Sequence, residues 1–113
     1  MPIIKPIPRV LLNQNVEYEK FVEGDDWSGG PYHEPSITLE NVRVQYSTDL
    51  NRNNNSEDIT YKALLFFDMT HSRPKNVEFT ENSKVNVDGQ IMYVKEIHPI
   101  RSFKLHHYEL VLV

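Results

Sequence analysis

Histidine is the residue type in this chain with the widest chemical capacity, because imidazole binds transition metals and exchanges protons near neutral pH. The sequence contains five histidines. His106 and His107 are adjacent in a segment that alternates like a strand, so we expect their rings to project to opposite faces and not to bind one ion together. A metal site would need His71 or His98 to be brought in by the fold. The sequence contains no spacing of ligands that is typical of a metal site. We therefore interpret the histidines mainly as structural residues, and the other interpretation is that some of them make contacts that depend on protonation.

A second candidate is the pair of neighbouring carboxylates, Asp25 and Asp26, in the stretch "GDDW". Acids in a glycine-rich loop can bind calcium, but the alternating acids of an EF-hand, closed by a distant glutamate, are missing. A solvated turn is therefore the simpler interpretation, and we expect Trp27 to anchor it by burying its indole.

No motif for nucleophilic or nucleotide chemistry is found. The sequence contains no G-x-S-x-G turn, no P-loop and no dinucleotide fingerprint. The absence of cysteine excludes disulfides, thiolate zinc sites and a cysteine nucleophile. We therefore expect a protein that acts by binding, that is not an enzyme, and that has no metal and no cofactor.

The composition is that of one compact domain, which we expect to span residues 1–113. Apolar residues make up 39% and aromatic residues 11% of the chain, enough for one core. The net charge of −4 argues against a free-standing nucleic-acid binder. No apolar run is long enough for a membrane helix and no secretory signal is seen, so we expect a soluble protein without a membrane partner.

The chain begins with a proline-rich stretch, "MPIIKPIPRV". Proline fixes φ and lacks an amide donor, so residues 1–9 are predicted to form an extended arm. Its isoleucines, Ile3, Ile4 and Ile7, are candidates for contact with a neighbouring subunit.

Strand patterns recur through the rest of the chain. "NVRVQY" places Val42, Val44 and Tyr46 on one face. "ITYKALLFFD" is apolar on both faces, with Leu64 and Phe66 opposite the main apolar row. A two-sided apolar strand is typical of a central strand, or of one that a neighbouring subunit covers.

The clearest local prediction is a β-hairpin in "KVNVDGQIMYVKEI". The Asp-Gly pair at 88–89 favours a two-residue turn with positive φ at both positions. Such a turn would place Val87 opposite Gln90 and Val85 opposite Met92.

Helix evidence is thin by comparison. "VEYEKFVEG" fits two helical turns and a strand equally well, and the sequence leaves room for one short helix at 69–78. Five or six strands without crossover helices predict a mainly all-β fold, a small antiparallel β-barrel or sandwich. Between two of its strands the polar stretch "STDLNRNNNSED", residues 47–58, predicts a long flexible loop.

The order of several segments resembles a known family. The segments are "PIPRVLL", "EGDDWSGGPY", "ITLENVRV", "LLFFDMTHSRP", "SKVNVDGQIMYVKEI" and "LHHYELVLV". Together they resemble the minor capsid proteins of tailed phages and prophages of Gram-positive bacteria. "ITLENVRV", "FFD…HSRP" and "LHHYEL" are the distinctive parts.

The resemblance implies a structural protein of the phage head–tail connector, similar to the stopper proteins of the neck. Such a protein forms a ring below the portal and its adaptor, helps to retain packaged DNA and offers a docking surface for the tail. The implied partners are other copies in a six- or twelve-fold ring, the portal or adaptor, a tail-completion or tail-tube protein, and DNA passing through the channel. The implied location is the head–tail junction of the virion, after synthesis in the cytoplasm of the bacterial host.

By position, the resemblance also implies that the 47–58 loop projects into the channel. The candidate channel-loop residues are Asp49, Leu50, Asn51, Arg52, Asn53, Asn54 and Asn55. The candidate contacts between subunits are Ile3, Ile4, Ile7, Trp27, Leu64 and Phe66.

Two other function classes stay open at this stage. A small β-barrel that binds nucleic acid or a peptide would use exposed aromatic rings for stacking. Its candidates are Tyr61, Phe66, Tyr93 and Tyr108. A metal-dependent hydrolase would need His71, His98 or His106, and metal-free purified protein would exclude it.

Overall fold

The computed structural model describes residues 6–24, 27, 29–47 and 61–113, and this part of the chain consists mainly of β-strands. The strands are β1 (Gln14–Glu19), β2 (Phe21–Val22), β3 (Tyr32–His33), β4 (Ile37–Tyr46), β5 (Ala63–Asp68), β6 (Lys84–Val87), β7 (Gln90–Ser102) and β8 (Lys104–Leu112). A single 3-10 turn, Arg9–Leu11, precedes β1. No helix among the described residues is long and apolar enough to cross a membrane.

Six of the strands form a closed antiparallel barrel in the order β1-β4-β5-β8-β7-β6. Pairing of β6 with β1 closes it, through the register Tyr18 to Val85. β2 and β3 form a separate two-stranded sheet beside the barrel. The predicted all-β class is confirmed, and of the two predicted architectures the structure is the barrel.

The core fills the barrel interior mainly with alternate residues of the strands, as a period of two requires. β4 departs from this alternation between Leu39 and Val42, where its register with β1 shifts. β4 contributes Val42 and Val44, and β8 contributes Leu110 and Leu112. The full set in the barrel is Val16, Tyr18, Leu39, Val42, Val44, Ala63, Leu65, Phe67, Val85, Val87, Met92, Val94, Leu110 and Leu112.

The β6–β7 hairpin has the predicted turn and register. Asp88 and Gly89 both have positive φ, 51° and 92°. Val85 pairs with Met92, and Val87 pairs with Gln90. This prediction was accurate because the turn residues alone set the register.

β5 is a central strand, hydrogen-bonded to β4 on one side and to β8 on the other. Leu65 and Phe67 are buried in the barrel, while Leu64 and Phe66 are half-buried on its outer surface. The two-sided apolar pattern is thus explained by a central position in the sheet, with an outer face that keeps part of its apolar area exposed.

Two ambiguous segments are now resolved. "VEYEKFVEG" lies in β1 and β2, so its alternation describes it better than its helical spacing does. The short helix considered for residues 69–78 is absent, and a series of turns is found there. The reason is that Asp68 accepts hydrogen bonds from the backbone N–H groups of Thr70 and His71, both at 2.9 Å, which fixes a tight turn.

The proline-rich arm is described only from Pro6 onward. The backbone N–H of Ile7 donates to Oδ1 of Asp68 at 3.1 Å, and the Ile7 side chain is half-buried. This part of the arm therefore lies against its own barrel.

β7 and β8 form a hairpin that extends beyond the rest of the barrel. β6 pairs with β7 only as far as Tyr93, whereas β8 pairs with β7 as far as Ser102. On its other edge β8 pairs with β5 only from His107 onward. The distal end, residues 99–106, consequently stands out from the barrel, and we call it the hairpin tip.

Candidate functional site

The predicted channel loop lies almost wholly outside the described residues, and with it Asp49 to Asn55. The structure does describe how its two ends are held. Tyr46 pairs with Ala63, the Ser47 N–H donates to the Lys62 carbonyl at 2.9 Å, and the Lys62 N–H donates to the Leu112 carbonyl at 2.7 Å. Both ends are thus fixed to the same end of the barrel.

Of the six candidate subunit contacts, Ile3 and Ile4 also lie outside the described residues. Trp27 is 96% exposed, so the expectation that it buries its indole is wrong. It lies in the glycine-rich connection between β2 and β3. The indole instead faces solvent.

Leu64 and Phe66 lie side by side on the outer face of β5. Arg43 on β4 and Glu109 on β8 are the register partners of Phe66 on its two sides. The Phe66 ring lies 6.2 Å from the His107 ring. The outer face of the β4-β5-β8 sheet therefore carries a half-buried apolar strip edged by charged groups.

The hairpin tip has a composition unlike the rest of the chain. It contains Arg101 and Lys104, both exposed, and no carboxylate occurs between residues 97 and 108. At its turn Phe103 has a φ of 65° and is 85% exposed. Ile100 is also exposed. The tip is therefore an apolar ring set between two positive charges, in a protein whose net charge is negative.

A groove of about 540 Å³ lies at the base of the same hairpin, between β2, the segment 78–82 and β7. Its apolar lining includes Phe21, Val22, Phe79 and Ile97. We call it the acidic groove, because three carboxylates, Glu23, Glu78 and Glu81, also line it.

One wall of the acidic groove is fixed by a buried hydrogen-bond network. The Tyr18 hydroxyl lies 3.0 Å from the Glu78 carbonyl oxygen and 3.0 Å from Ser83 Oγ, and it accepts the Thr80 N–H at 3.0 Å. Ser83 Oγ accepts the Phe21 N–H at 3.0 Å. This network joins β1, β2 and the segment 78–83, so the groove is a preformed feature of the fold.

The floor of the acidic groove is held in place by contacts between aromatic rings. The Phe79 ring packs edge-on against Phe67 at 5.2 Å and Tyr108 at 5.0 Å, and against Tyr18 at 5.5 Å. Such edge-to-face contacts are favourable beyond the area that they bury. The groove floor is therefore continuous with the barrel core.

The charge of the groove is only partly neutralised within the chain. Lys20 Nζ lies 3.2 Å from Glu78 Oε2, and this hydrogen bond raises the pKa of Lys20 above its ordinary value. Three carboxylates against one ammonium leave the groove negative at neutral pH. It is thus suited to a cationic partner.

In the described part of the chain, no group of three or more histidine, aspartate or glutamate side chains is placed to hold an ion. Asp25 and Asp26 lie outside it. His71, His98 and His106 do not form such a group.

The expected separation of His106 and His107 is wrong, because their Nδ1 atoms lie 2.8 Å apart. Ile100 pairs with His107 and Arg101 with Leu105, so His106 is the extra residue of a β-bulge. A bulge re-aims side chains, which breaks the alternation that the prediction assumed.

The aromatic residues considered for base stacking do not form one exposed platform. Tyr93 is exposed, but Tyr108 packs against Phe79, and Phe66 and Tyr61 are half-buried. The described surface thus gives little support to the stacking alternative.

Sequence reasoning missed both the hairpin tip and the acidic groove. The tip could have been noticed from the acid-free run between 97 and 108 with an aromatic at its centre. The groove could not, because its lining comes from segments up to 77 positions apart, Lys20 to Ile97.

The fold is a closed six-stranded antiparallel barrel with a projecting hairpin and a groove at the base of that hairpin. The chain matches the model of the minor capsid protein family over residues 8–112. It belongs to that family. No curated protein and no solved structure matches it. Membership supports a structural role in a phage particle and a location in the virion.

Proposed function

We propose that this protein forms a ring in the head–tail connector of the phage, below the portal or its adaptor. There it helps to retain packaged DNA and presents a docking surface to the tail. The observation that carries the proposal, beside family membership, is the fixing of both ends of segment 48–60 at one barrel end through Ser47, Lys62 and Leu112. The two residues that flank this segment thus belong to the hydrogen-bonded barrel.

In this arrangement residues 49–55 of each copy face the channel, where copies around a six- or twelve-fold ring meet. Asparagine side chains both donate and accept hydrogen bonds, so identical copies can pair. Arg52 is the single cation of residues 47–58 and contacts a DNA phosphate when the channel is closed.

A ring requires each subunit to present two unlike surfaces, because a head-to-tail contact closes by rotation. The apolar strip of Leu64 and Phe66 and the exposed Trp27 ring supply surface that assembly would cover. Ile3, Ile4 and Ile7 of the arm add to the contact with a neighbour. The remaining partners are the portal or adaptor on one side and a tail-completion or tail-tube protein on the other.

The test is removal of the gene from the phage that encodes the protein. We expect heads that fill with DNA and then lose it, and that do not join tails, because the ring is absent. Supplying the wild-type protein from a plasmid should restore infectious particles and serves as the control. Imaging of complemented particles should show the protein at the neck. Stable, infectious particles made without it would overturn the proposal.

A further inference from the structure

We propose that neighbouring copies of this chain join by insertion of the hairpin tip of one copy into the acidic groove of the next. This contact specifies how subunits of the proposed ring associate, and so it rests on the proposed function for its biological setting. The self-association itself is a property of the purified chain.

The tip and the groove are complementary in both charge and polarity. The tip brings Arg101 and Lys104 on either side of the 85%-exposed Phe103. The groove offers an aromatic floor at Phe79, with Glu23 and Glu81 exposed at its edge. An exposed aromatic ring flanked by cations is the kind of anchor that fills an apolar pocket with an acidic rim.

The two features cannot meet within one molecule. Ile97 lines the groove, and Phe103 follows six positions later on the same hairpin, which places it roughly 20 Å away along the strand. β7 is extended and paired with β8 over that whole distance. The tip of each copy is therefore directed away from its own groove, and only another copy can bring the two together.

Such a contact is heterologous, because it joins two different surfaces of identical chains. A heterologous contact repeats from copy to copy and closes into a ring when the rotation allows. The contact thus leads to a closed ring or an open chain of subunits, and the rotation between neighbouring copies decides which of the two forms.

A second copy fits the tip better than DNA does. Two cations are few for a phosphate-binding surface, and the chain as a whole carries a net charge of −4. Phe103 is aromatic and could stack on a base, but the acidic groove has no use in that interpretation. The copy-to-copy contact accounts for both surfaces at once.

The first test uses the absence of cysteine from the chain, which allows two thiols to be introduced without others. The variant Ser102→Cys/Glu81→Cys carries one thiol beside Phe103 and one on the groove rim. A short bismaleimide should convert it into a ladder of dimers, trimers and larger species. Each single variant stops at a dimer, since one thiol per chain can join only two chains.

The matched control is Ser102→Cys/Gln90→Cys, because Gln90 is exposed on β7 about 23 Å from Ile97. It should give only background crosslinking. Adding Phe103→Ser to the first pair should reduce its ladder at least about tenfold, since the anchor is lost. A ladder no stronger than the control, or one indifferent to Phe103→Ser, would overturn the contact.

The second test reverses the charges. Arg101→Glu/Lys104→Glu reverses the tip, and Glu23→Lys/Glu81→Lys reverses the groove, all at exposed positions. Each variant alone should associate at least about tenfold more weakly than wild type, measured by light scattering at high concentration. Their mixture should recover association, because the reversed tip of one variant then meets the reversed groove of the other, and the native tip meets the native groove.

The outcomes separate this contact from its alternatives. Loss of DNA binding by the tip variant, with no recovery in the mixture, would assign the tip to DNA and contradict the proposal. If the mixture fails to recover while phage lacking the protein still loses DNA, the neck function stands and this contact is wrong. If the mixture recovers while such phage is infectious, the contact stands and the neck function is wrong.

Discussion

At the scale of single residues, Asp68 organises the stretch "FFDMTHSRP". Its buried carboxylate accepts three backbone N–H groups, from Ile7, Thr70 and His71. Its own N–H donates to Ser72 Oγ at 2.9 Å, and Ser72 in turn donates to the Asn41 carbonyl. One aspartate thereby joins the arm, β5 and β4, so its role in this chain is structural.

We expect Asp68→Asn to lower the free energy of unfolding by about 2 kcal/mol. The amide NH₂ of the asparagine would replace a carboxylate oxygen that accepts a backbone N–H, so that two donors would face each other without an acceptor. Asp88→Asn is the matched control, since Asn also adopts the positive φ of that exposed turn. Urea denaturation of both variants measures the difference. Equal stability of the two would contradict the role assigned to Asp68.

Two residue roles could not be read from the sequence. The bulge at His106 depends on the register that β7 imposes on β8, and Trp27 depends on what the fold places near its loop. Both predictions assumed local rules, strict alternation for the histidines and burial for a large aromatic ring. Tertiary context overrode each of them.

At the scale of elements, the sequence predicts what is local. The β6–β7 hairpin was predicted with its register because Asp88 and Gly89 determine the turn. The central position of β5 followed from apolar residues on both faces. The acidic groove was not predicted, since its wall depends on a contact between Tyr18 and Ser83, 65 positions apart.

We expect Ser83→Ala to lower the free energy of unfolding by about 1–3 kcal/mol, because it leaves the partly buried Phe21 N–H without its acceptor and removes a partner of the Tyr18 hydroxyl. It should also weaken the S102C/E81C crosslinking ladder, since the groove wall is loosened. Thermal unfolding measures the first effect and crosslinking yield the second.

Ser36→Ala is the matched control for Ser83→Ala. Ser36 Oγ is exposed and donates to Glu17 Oε2 at 2.7 Å, a bond that contributes most to lowering the pKa of Glu17. The control should leave the melting temperature nearly unchanged and raise the pKa of Glu17 towards its ordinary value. A groove that crosslinks normally in Ser83→Ala would show that the network does not shape it.

At the scale of the whole molecule, β8 separates two regions with different tasks. It runs from the hairpin tip at Lys104 to Leu112, about 26 Å away, where the ends of segment 48–60 are fixed. The hairpin tip and the described ends of segment 48–60 thus lie at opposite ends of one strand. Each can therefore be altered without disturbing the other.

The last prediction uses this separation. Replacing residues 48–61 by Asn-Gly should leave the barrel folded with an unchanged or higher melting temperature. Tyr46 pairs with Ala63, and the Ser47 N–H donates to the Lys62 carbonyl, so an Asn-Gly turn can join the two strands at this point. Phage carrying the shortened chain should still build the neck ring but lose packaged DNA, because the segment proposed to close the channel is gone.

Phe103→Ser in the same phage is the comparison, because it should impair ring assembly while residues 48–61 stay intact. Imaging of the neck and measurement of DNA released from filled heads distinguish the two defects. Full retention of DNA by the shortened variant would contradict the proposal that segment 48–60 closes the channel. A much lower melting temperature of the shortened variant would instead show that the barrel needs that segment to fold. It would contradict the expectation that the pairing of Tyr46 with Ala63 is enough to join β4 and β5.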